Sequence, residues 1–343
     1  MTEVLNGTKS RSNTLLRRAW DNENKPIFMV LMVALVVVIV VEYLAKGSVN
    51  FFSGMNISNV LLQVAVTGIF ALSMTLVMIS GGIDLSIGNM MSFVGTGMAY
   101  MIRTVGWSEV SVILLSIVAC IVLQMIMGLI ISRTKIEPFI VSLGFMSIYR
   151  GFTYLITNGR EITIIGKLGY LSGRVFSFGQ FVVTMPIITF LVLTILVWLV
   201  IKYTKFGRRV YAVGGNENAA YLAGINVKNF KLLIYAINGL FVSIASMTLL
   251  ARLGTGAPTM GLTKEIDVIA AVVVGGTALS GGKGNIWGTV IGVFLLGIIS
   301  NALNILGVSP HWQYVMRGLL IIGAVMIGYY SSQRSVRKVG NKS

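Results

Sequence analysis

The stretch Ile79-Ser-Gly-Gly-Ile-Asp-Leu-Ser-Ile-Gly88 decides the fold. It places a carboxylate, two hydroxyls and three glycines between two apolar segments of membrane-spanning length. A second stretch, Leu279-Ser-Gly-Gly-Lys-Gly-Asn-Ile-Trp-Gly288, carries Ser and Gly at the same four relative positions. We call these stretches the first and second polar breaks. Lipid offers no hydrogen-bond partners, so backbone groups freed at each break must be satisfied by protein or by a water-lined cavity.

Composition indicates an integral membrane protein. The 343 residues are 55% hydrophobic and only 11% charged, whereas soluble domains carry about 25% charged residues. Basic cytoplasmic loops explain the net charge of +16, so no nucleic-acid partner is expected. One cysteine, Cys120, and one histidine, His311, cannot build a disulfide framework or a metal site. No phosphate loop ending in Gly-Lys-Ser/Thr occurs, so we expect no nucleotide hydrolysis and no cofactor in this chain.

Apolar segments predict ten membrane spans, flanked by a tail over 1–26 and a basic tail over 332–343 of a transmembrane domain, 27–331. The spans are expected at about 27–45, 57–79, 86–102, 110–132, 138–157, 182–201, 231–251, 265–279, 286–306 and 313–330. Asn56 or Ser58 is the expected N-cap of the second span, and Pro138 fits the first turn of the fifth. Residues 158–181 are the longest predicted outer loop. Most of the 27 Lys and Arg residues lie on the side of the termini, which places both termini in the cytoplasm.

The two breaks divide the chain into a weak internal repeat, roughly 57–157 and 250–330. Transport proteins often contain such repeats, with discontinuous helices at matching positions. The alternative is chance recurrence of Ser-Gly-Gly in a chain with 39 glycines.

Asp84 is the most informative residue of the first break, because an ionised side chain at membrane depth is costly. It is expected to face a cavity, a helix N-terminus or a cation, with Ser80 and Ser86 adding hydrogen bonds. As an N-cap it would accept from backbone N–H groups of the third span. A gate that lets helices unwind and a simple cap at a cytoplasmic turn both remain open.

The cytoplasmic loop 202–230 is the other organised feature. Asn216 is a candidate N-cap, residues 217–223 a short helix, and Gly224 its left-handed C-terminal residue. Two helical turns are unstable alone in water, so a partner surface is expected; packing on the chain's own bundle is the alternative.

Four motifs, taken together and in this order, resemble the membrane permease subunits of bacterial ATP-binding-cassette importers for monosaccharides, of the ribose, galactose, xylose and arabinose type. They are Ser80-Gly-Gly-Ile-Asp-Leu-Ser-Ile-Gly88, Phe206-Gly-Arg-Arg-Val-Tyr-Ala-Val-Gly-Gly-Asn216, Ala223-Gly-Ile-Asn-Val227 and Leu279-Ser-Gly-Gly-Lys-Gly284.

The resemblance implies an all-α, polytopic fold of the vitamin B12-type importer class with about ten helices. It implies a second permease copy, identical or a close paralogue, in the lipid of the inner membrane. ATP-binding cassette subunits that hold ATP and Mg would dock on the cytoplasmic side, and an extracytoplasmic sugar-binding protein would deliver the substrate.

The resemblance also assigns two sets of site residues. The translocation path or gate is expected at Ser80, Gly81, Gly82, Asp84, Ser86, Gly88, Asp267, Ser280, Gly281 and Gly282. The ATPase-coupling loop is expected at Arg208, Arg209, Gly215, Asn216, Glu217, Asn218, Ala219, Ala220 and Gly224. The family's Glu-Ala-Ala-x-x-x-Gly motif is matched only in part, because Asn218 stands at the Glu position.

Two other function classes were weighed. An ion-coupled secondary transporter would use Asp84 as its ion site, but it normally needs a relay of ionisable groups in the membrane. An intramembrane enzyme needs a catalytic set, which this chain does not contain. Gly284 stands where a symmetric second carboxylate would be, so the breaks are interpreted as paired hinges around a neutral-solute path.

Overall fold

The computed structural model describes residues 25–48, 50–309, 311–316 and the positions 318, 319, 322, 323 and 326. Helices and short strands account for most of these residues. The helices are α1 (Lys25–Lys46), α2 (Gly54–Ile79), α3 (Ile87–Tyr100), α4 (Glu109–Arg133), α5 (Pro138–Thr157), α6 (Met185–Tyr203), α7 (Lys205–Gly215), α8 (Glu217–Leu222), α9 (Val227–Leu253), α10 (Lys264–Val274) and α11 (Ile286–Ile305). The strands are β1 (Ile162–Thr163), β2 (Arg174–Phe178), β3 (Phe181–Thr184) and β4 (Thr255–Gly256).

Seven of the helices in the described part of the chain are long and apolar enough to cross a membrane: α1, α2, α4, α5, α6, α9 and α11. The predicted eighth span forms α10, with only 11 residues, whereas a full crossing takes about 20 residues. The predicted third span forms α3, with 14 residues, which continues directly as a π-helix over Met101–Val105. Half of the predicted tenth span and nearly all of both tails lie outside the described residues. The helical membrane fold is therefore confirmed, and ten crossings stay a prediction.

Helix α2 forms the centre of the bundle and is buried along its whole second half, from Val64 to Ile79 except for Thr67. It contacts α9, α11, α6 and α10. The neighbouring pair α4 and α9 approaches closely because Gly239 lies against the Cys120 carbonyl and Gly128 against the Tyr235 ring. Lipid provides no hydrophobic driving force for helix association, so membrane helices associate through close packing. Small residues permit the backbone contact that such packing needs.

The N-cap of α2 differs from the prediction. The side chain of Ser53 is the cap and accepts from the Asn56 backbone N–H at 3.3 Å. Asn56 instead pairs with Asn301 of α11, and the Ser58 hydroxyl accepts from the Val182 backbone N–H at 2.7 Å. Asn56 and Ser58 were wrong as caps because both side chains serve tertiary contacts.

The segments predicted to lie outside the membrane are more ordered than the sequence indicates. Helix α5 begins at Pro138 and ends at Thr157, as predicted. The following segment was expected to be a loop through 181, but β2 and β3 form an antiparallel hairpin there, and β1 pairs with β4. The pairing of β1 with β4 joins the segments that follow α5 and α9, which are distant in sequence.

The segment after α9, which lies between the predicted seventh and eighth spans, is packed against the bundle. It runs along α3 in non-helical conformation: Gly256 lies against Ala99, Met260 against Gly95, and Gly261 against Gly88. Helix α10 therefore starts beside the first turn of α3 and not at the end of the bundle. Unwound backbone at this depth is tolerated because it is buried in protein.

Candidate functional site

The first polar break joins α2 to α3 through residues 80–86. Gly81 has a φ of 85°, a conformation that favours glycine, and Ser80 is the C-cap of α2. The Gly82 N–H donates to the Val77 carbonyl at 2.9 Å. The backbone N–H groups at the start of the break are thus satisfied by the last turn of α2.

Asp84 is fully buried and accepts four hydrogen bonds. Its Oδ1 accepts from the backbone N–H of Ser86 at 2.8 Å and from the Ser86 hydroxyl at 2.6 Å. Its Oδ2 accepts from the side-chain amides of Gln124 at 2.8 Å and Asn238 at 2.7 Å. We call these four residues the Asp84 cluster; it ties the start of α3 to α4 and α9.

The position of the Asp84 cluster corrects two expectations. The N-cap of α3 is Ser86, without a side-chain cap bond, so Asp84 precedes the cap and makes a local turn with the Ser86 N–H. Its partners Gln124 and Asn238 stand near the middle of α4 and α9, so Asp84 lies inside the bundle and not at a cytoplasmic turn. Among the described residues, no Lys, Arg or His forms an ion pair with it.

The second polar break touches the first. Gly281 and Gly282 both have positive φ, at 81° and 72°. The Gly282 N–H donates to the carbonyl of Ile79 at 2.8 Å, at the end of α2. A Cβ on Gly281 would stand 2.9 Å from the Gly81 Cα. Ser280 is exposed and Ser80 is buried, so the two breaks meet but are not equivalent.

The C-terminal end of α7 packs against both polar breaks. A Cβ on Gly214 would lie 1.7 Å from the Ile79 carbonyl oxygen and 2.8 Å from the Gly282 nitrogen. The Tyr211 hydroxyl, one turn earlier, donates to the Gly284 carbonyl at 2.8 Å. We call the contact of Ile79, Gly81, Gly214, Gly281 and Gly282 the glycine junction. Only glycine allows three backbones to approach this closely.

Helix α8 follows the glycine junction directly. Its N-cap is Asn216, whose Oδ1 accepts from the Ala219 N–H at 2.9 Å, and Gly224 has a φ of 84°, both as the sequence predicts. Glu217 forms an ion pair with Lys231 of α9. Tyr221 and Leu222 are 70% and 85% exposed.

The remaining predicted coupling residues lie on the same surface as α8. Of the predicted path residues, some lie at the glycine junction and others lie apart from it. Exposed on the loop are Arg208, Arg209, Gly215, Asn218 and Ala219, whereas Ala220 is buried. The structure brings Gly81, Gly281 and Gly282 together in the glycine junction, with Ser80, Gly82 and Ser280 as chain neighbours. Gly88 and Asp267 lie apart from it, Gly88 beneath the carboxylate of buried Glu265 and Asp267 beside Lys264 at 3.5 Å.

Three site residues escaped sequence reasoning. Gln124 and Asn238 are polar residues inside apolar spans, which is a usable signal, but nothing in the sequence pairs them with Asp84. Gly214 stands beside Gly215 in one of the quoted motifs, and only the fold shows which glycine of the pair is packed.

Comparison with known proteins decides the family. Residues 56–325 match the family described as branched-chain amino acid transport system / permease component. The chain belongs to this permease family. It is a transport component and not an enzyme, as predicted. No solved structure matches it.

Similar proteins are named as permeases for ribose or xylose. The permease is 42% identical over 280 residues to the ribose import permease protein RbsC of Bacillus subtilis, covering 81% of this chain and 86% of the relative. It is 36% identical over 316 residues to the protein of that name in Escherichia coli K12, covering 90% and 94%. The Escherichia coli K12 xylose transport system permease protein XylH is 32% identical over 370 residues, covering 91% and 94%.

Proposed function

We propose that this permease is the membrane subunit of an ATP-binding-cassette importer for a monosaccharide, with a ribose-like pentose as the first candidate and a hexose as the second. The observation that carries the proposal is the similarity to ribose and xylose permeases over more than four fifths of the chain. The description of the matching family, in contrast, names branched-chain amino acids and not sugars.

The energy would come from separate ATPase subunits, which hold ATP and Mg, docked on α7 and α8. Helix α8 supports this because it has six residues, one buried side chain, and two large apolar side chains, Tyr221 and Leu222, facing outward. So short a helix gains stability from a covering surface. Arg208 and Arg209 add positive charge beside it.

The glycine junction would transmit the movement of the docked ATPase. Gly214 is the last but one residue of α7 and lies two residues before Asn216, the cap of α8, and it contacts both polar breaks. These contacts are between backbones with no side chain between them. A shift of α7 must therefore displace Ile79 or Gly282. The breaks then act as hinges of alternating access.

The assembled importer would contain two permease copies, identical or closely related, in the inner membrane with both termini in the cytoplasm. An extracytoplasmic sugar-binding protein would deliver the sugar to the opposite face, where the β2–β3 hairpin lies. Lipid would cover exposed apolar faces such as that of α1. Excess basic residues on the terminus side support the orientation, and no nucleic-acid partner is proposed.

Reconstitution tests this function. The permease is co-expressed with candidate ATPase and sugar-binding protein subunits, and the complex is placed in liposomes. We expect uptake of radiolabelled ribose or another monosaccharide only with ATP and the binding protein. Uptake by the permease alone under an ion gradient, without ATP, would overturn the proposal and favour an ion-coupled transporter.

A further inference from the structure

One face of the β2–β3 hairpin is aromatic and largely exposed. Directly paired residues lie on the same face of a sheet, and the register pairs Phe176 with Val183 and Phe178 with Phe181. Phe176 and Phe178 are 57% and 75% exposed, and the other two side chains are half-buried. We call this set of four residues the phenylalanine face.

The opposite face of the hairpin has a different character. Successive side chains of a strand point to opposite faces of the sheet, so Ser177 lies on the other side from its two phenylalanine neighbours. It is exposed, and its partner Val182 is half-buried. The exposed part of the hairpin is therefore amphipathic, with aromatic rings on one face and a hydroxyl on the other.

Helix α2 contacts the hairpin along the edge of β3 and leaves the exposed rings open. The Val182 N–H donates to the Ser58 hydroxyl at 2.7 Å, and backbone N–H groups of a strand lie in the plane of the sheet. A Cβ on Gly54 would stand 2.8 Å from the backbone nitrogen of Phe181. The hairpin is thus fixed to the first turns of α2 by its backbone.

The hairpin also lies at the level of the membrane boundary. Helix α6 is long and apolar enough to cross a membrane, and its 19 residues span about 28 Å at about 1.5 Å each. The hydrocarbon core of a bilayer is about 30 Å thick. Strand β3 ends at Thr184 and α6 begins at the next residue, Met185. The hairpin therefore adjoins the layer where acyl chains meet headgroups.

The exposed apolar surface continues from the hairpin onto α6. This helix exposes Met185, Leu191 and Val192, as expected for the lipid-facing side of a membrane span. Arg174, at the start of β2, is exposed and positively charged, which suits the phosphate groups of lipids. An apolar face rich in Phe, beside a basic side chain, is typical of segments that lie in the membrane interface.

We propose that the β2–β3 hairpin is an interfacial anchor, which inserts its phenylalanine face into the lipid at the membrane boundary and turns Ser177 towards water. Removal of aromatic area from water favours this position. The anchor holds the Gly54 end of α2 at the membrane surface, whereas the Ile79 end of α2 meets the glycine junction. It does not depend on which solute the permease transports.

Site-directed fluorescence of the full-length permease in phospholipid vesicles tests the anchor. Phe176→Cys, Ser177→Cys and Phe178→Cys are each labelled with the environment-sensitive fluorophore nitrobenzoxadiazole. The native Cys120 is fully buried, so it gives little background labelling. Ser177→Cys is the matched control, because it lies on the same strand and the opposite face. Size-exclusion chromatography checks that each labelled protein is intact.

We expect the probes at 176 and 178 to emit at shorter wavelength than the probe at 177. Lipids with a nitroxide high on the acyl chain should quench the first two, because interfacial apolar faces reach a depth of about 5–10 Å. Aqueous iodide should quench the probe at 177 instead. This alternation follows the two faces of the strand.

Iodide quenching at all three positions would overturn the anchor. A short-wavelength probe at 178 that nitroxide lipids do not quench would also overturn it, because a second copy of the chain would then cover the phenylalanine face. A probe at 178 that is open to iodide in the permease alone, and shielded when a sugar-binding protein is added, would assign the face to that protein and reject the lipid.

Discussion

At the scale of single residues, Asp84 is a buried carboxylate that forms no ion pair with a Lys, Arg or His that the structure describes. Four neutral donors fill its two oxygens, and three of them come from side chains of α4, α9 and the break itself. Charge-assisted hydrogen bonds are stronger than neutral ones, so the cluster offsets part of the cost of burial. Asp84 therefore has a fixed-point role: it holds the first polar break in place against α4 and α9.

Replacing Asp84 tests this role through stability. Asp84→Ala leaves the amides of Gln124 and Asn238 without acceptors, and each unsatisfied buried group costs about 1–3 kcal/mol. We expect the free energy of unfolding to fall by about 2 kcal/mol or more, measured by thermal unfolding in detergent. Asp84→Asn, which keeps one acceptor oxygen, should lose less.

The control is Glu161→Ala, at an exposed carboxylate in the outer segment, which should change stability by no more than about 0.5 kcal/mol. An Asp84→Ala protein that unfolds like the wild type but transports nothing would contradict the fixed-point role. That result would favour direct contact of Asp84 with a transported ion.

The sequence made Asp84 conspicuous but hid its partners. Gln124 is 40 positions away in the chain and Asn238 is 154. Only the close packing of α4 on α9, through Gly128 and Gly239, brings the two amides to one carboxylate oxygen. Such convergence depends on helix packing, which a single sequence does not specify.

At the scale of elements, local signals were reliable where a residue type has one backbone preference. Pro138 starts α5 and Asn216 caps α8, because fixed φ and side-chain capping act within one turn. Predictions failed where several nearby residues could serve as the cap and tertiary contacts decide between them. Ser53 caps α2, while Asn56 and Ser58 form hydrogen bonds with distant partners. The outer hairpin was missed because its strands are only five and four residues long.

The N-cap of α8 gives a prediction about ATPase docking. Asn216→Ala removes the bond to the Ala219 N–H, and a lost cap costs about 0.5–2 kcal/mol of helix stability. Because α8 has only six residues, we expect the affinity for the ATPase subunit to fall by about two- to thirtyfold, which corresponds to the same free energy. Binding of the detergent-solubilised permease to the purified ATPase measures it.

Asn226→Ala is the matched control, because Asn226 caps α9 through the Asn229 N–H at 3.1 Å. Helix α9 has 27 residues and packs along the core, so loss of its cap should leave ATPase affinity unchanged. Equal losses in the two variants would show that α8 is not the docking element.

At the scale of the whole molecule, the glycine junction joins the exposed loop of α7 and α8 to both polar breaks. The exposed loop of α7 and α8 leads into Gly214, Gly214 contacts both breaks, and the breaks lead into α3 and towards α10 and α11. The motifs predicted the two breaks and the loop separately. Their contact could not be predicted, because no sequence pattern links residues 79–82, 214 and 281–282.

The most direct test is the number of sugar molecules transported per ATP hydrolysed in the reconstituted importer, compared between Gly214→Ala and Gly215→Ala. A methyl on Gly214 meets the Ile79 carbonyl, whereas a methyl on Gly215 meets nothing within 4 Å. For complexes that assemble intact, we expect Gly214→Ala to lower this ratio by about 5- to 150-fold, the range of coupling free energies between sites. Gly215→Ala should keep the wild-type ratio. A wild-type ratio in Gly214→Ala, or equal losses in both variants, would contradict transmission through the glycine junction.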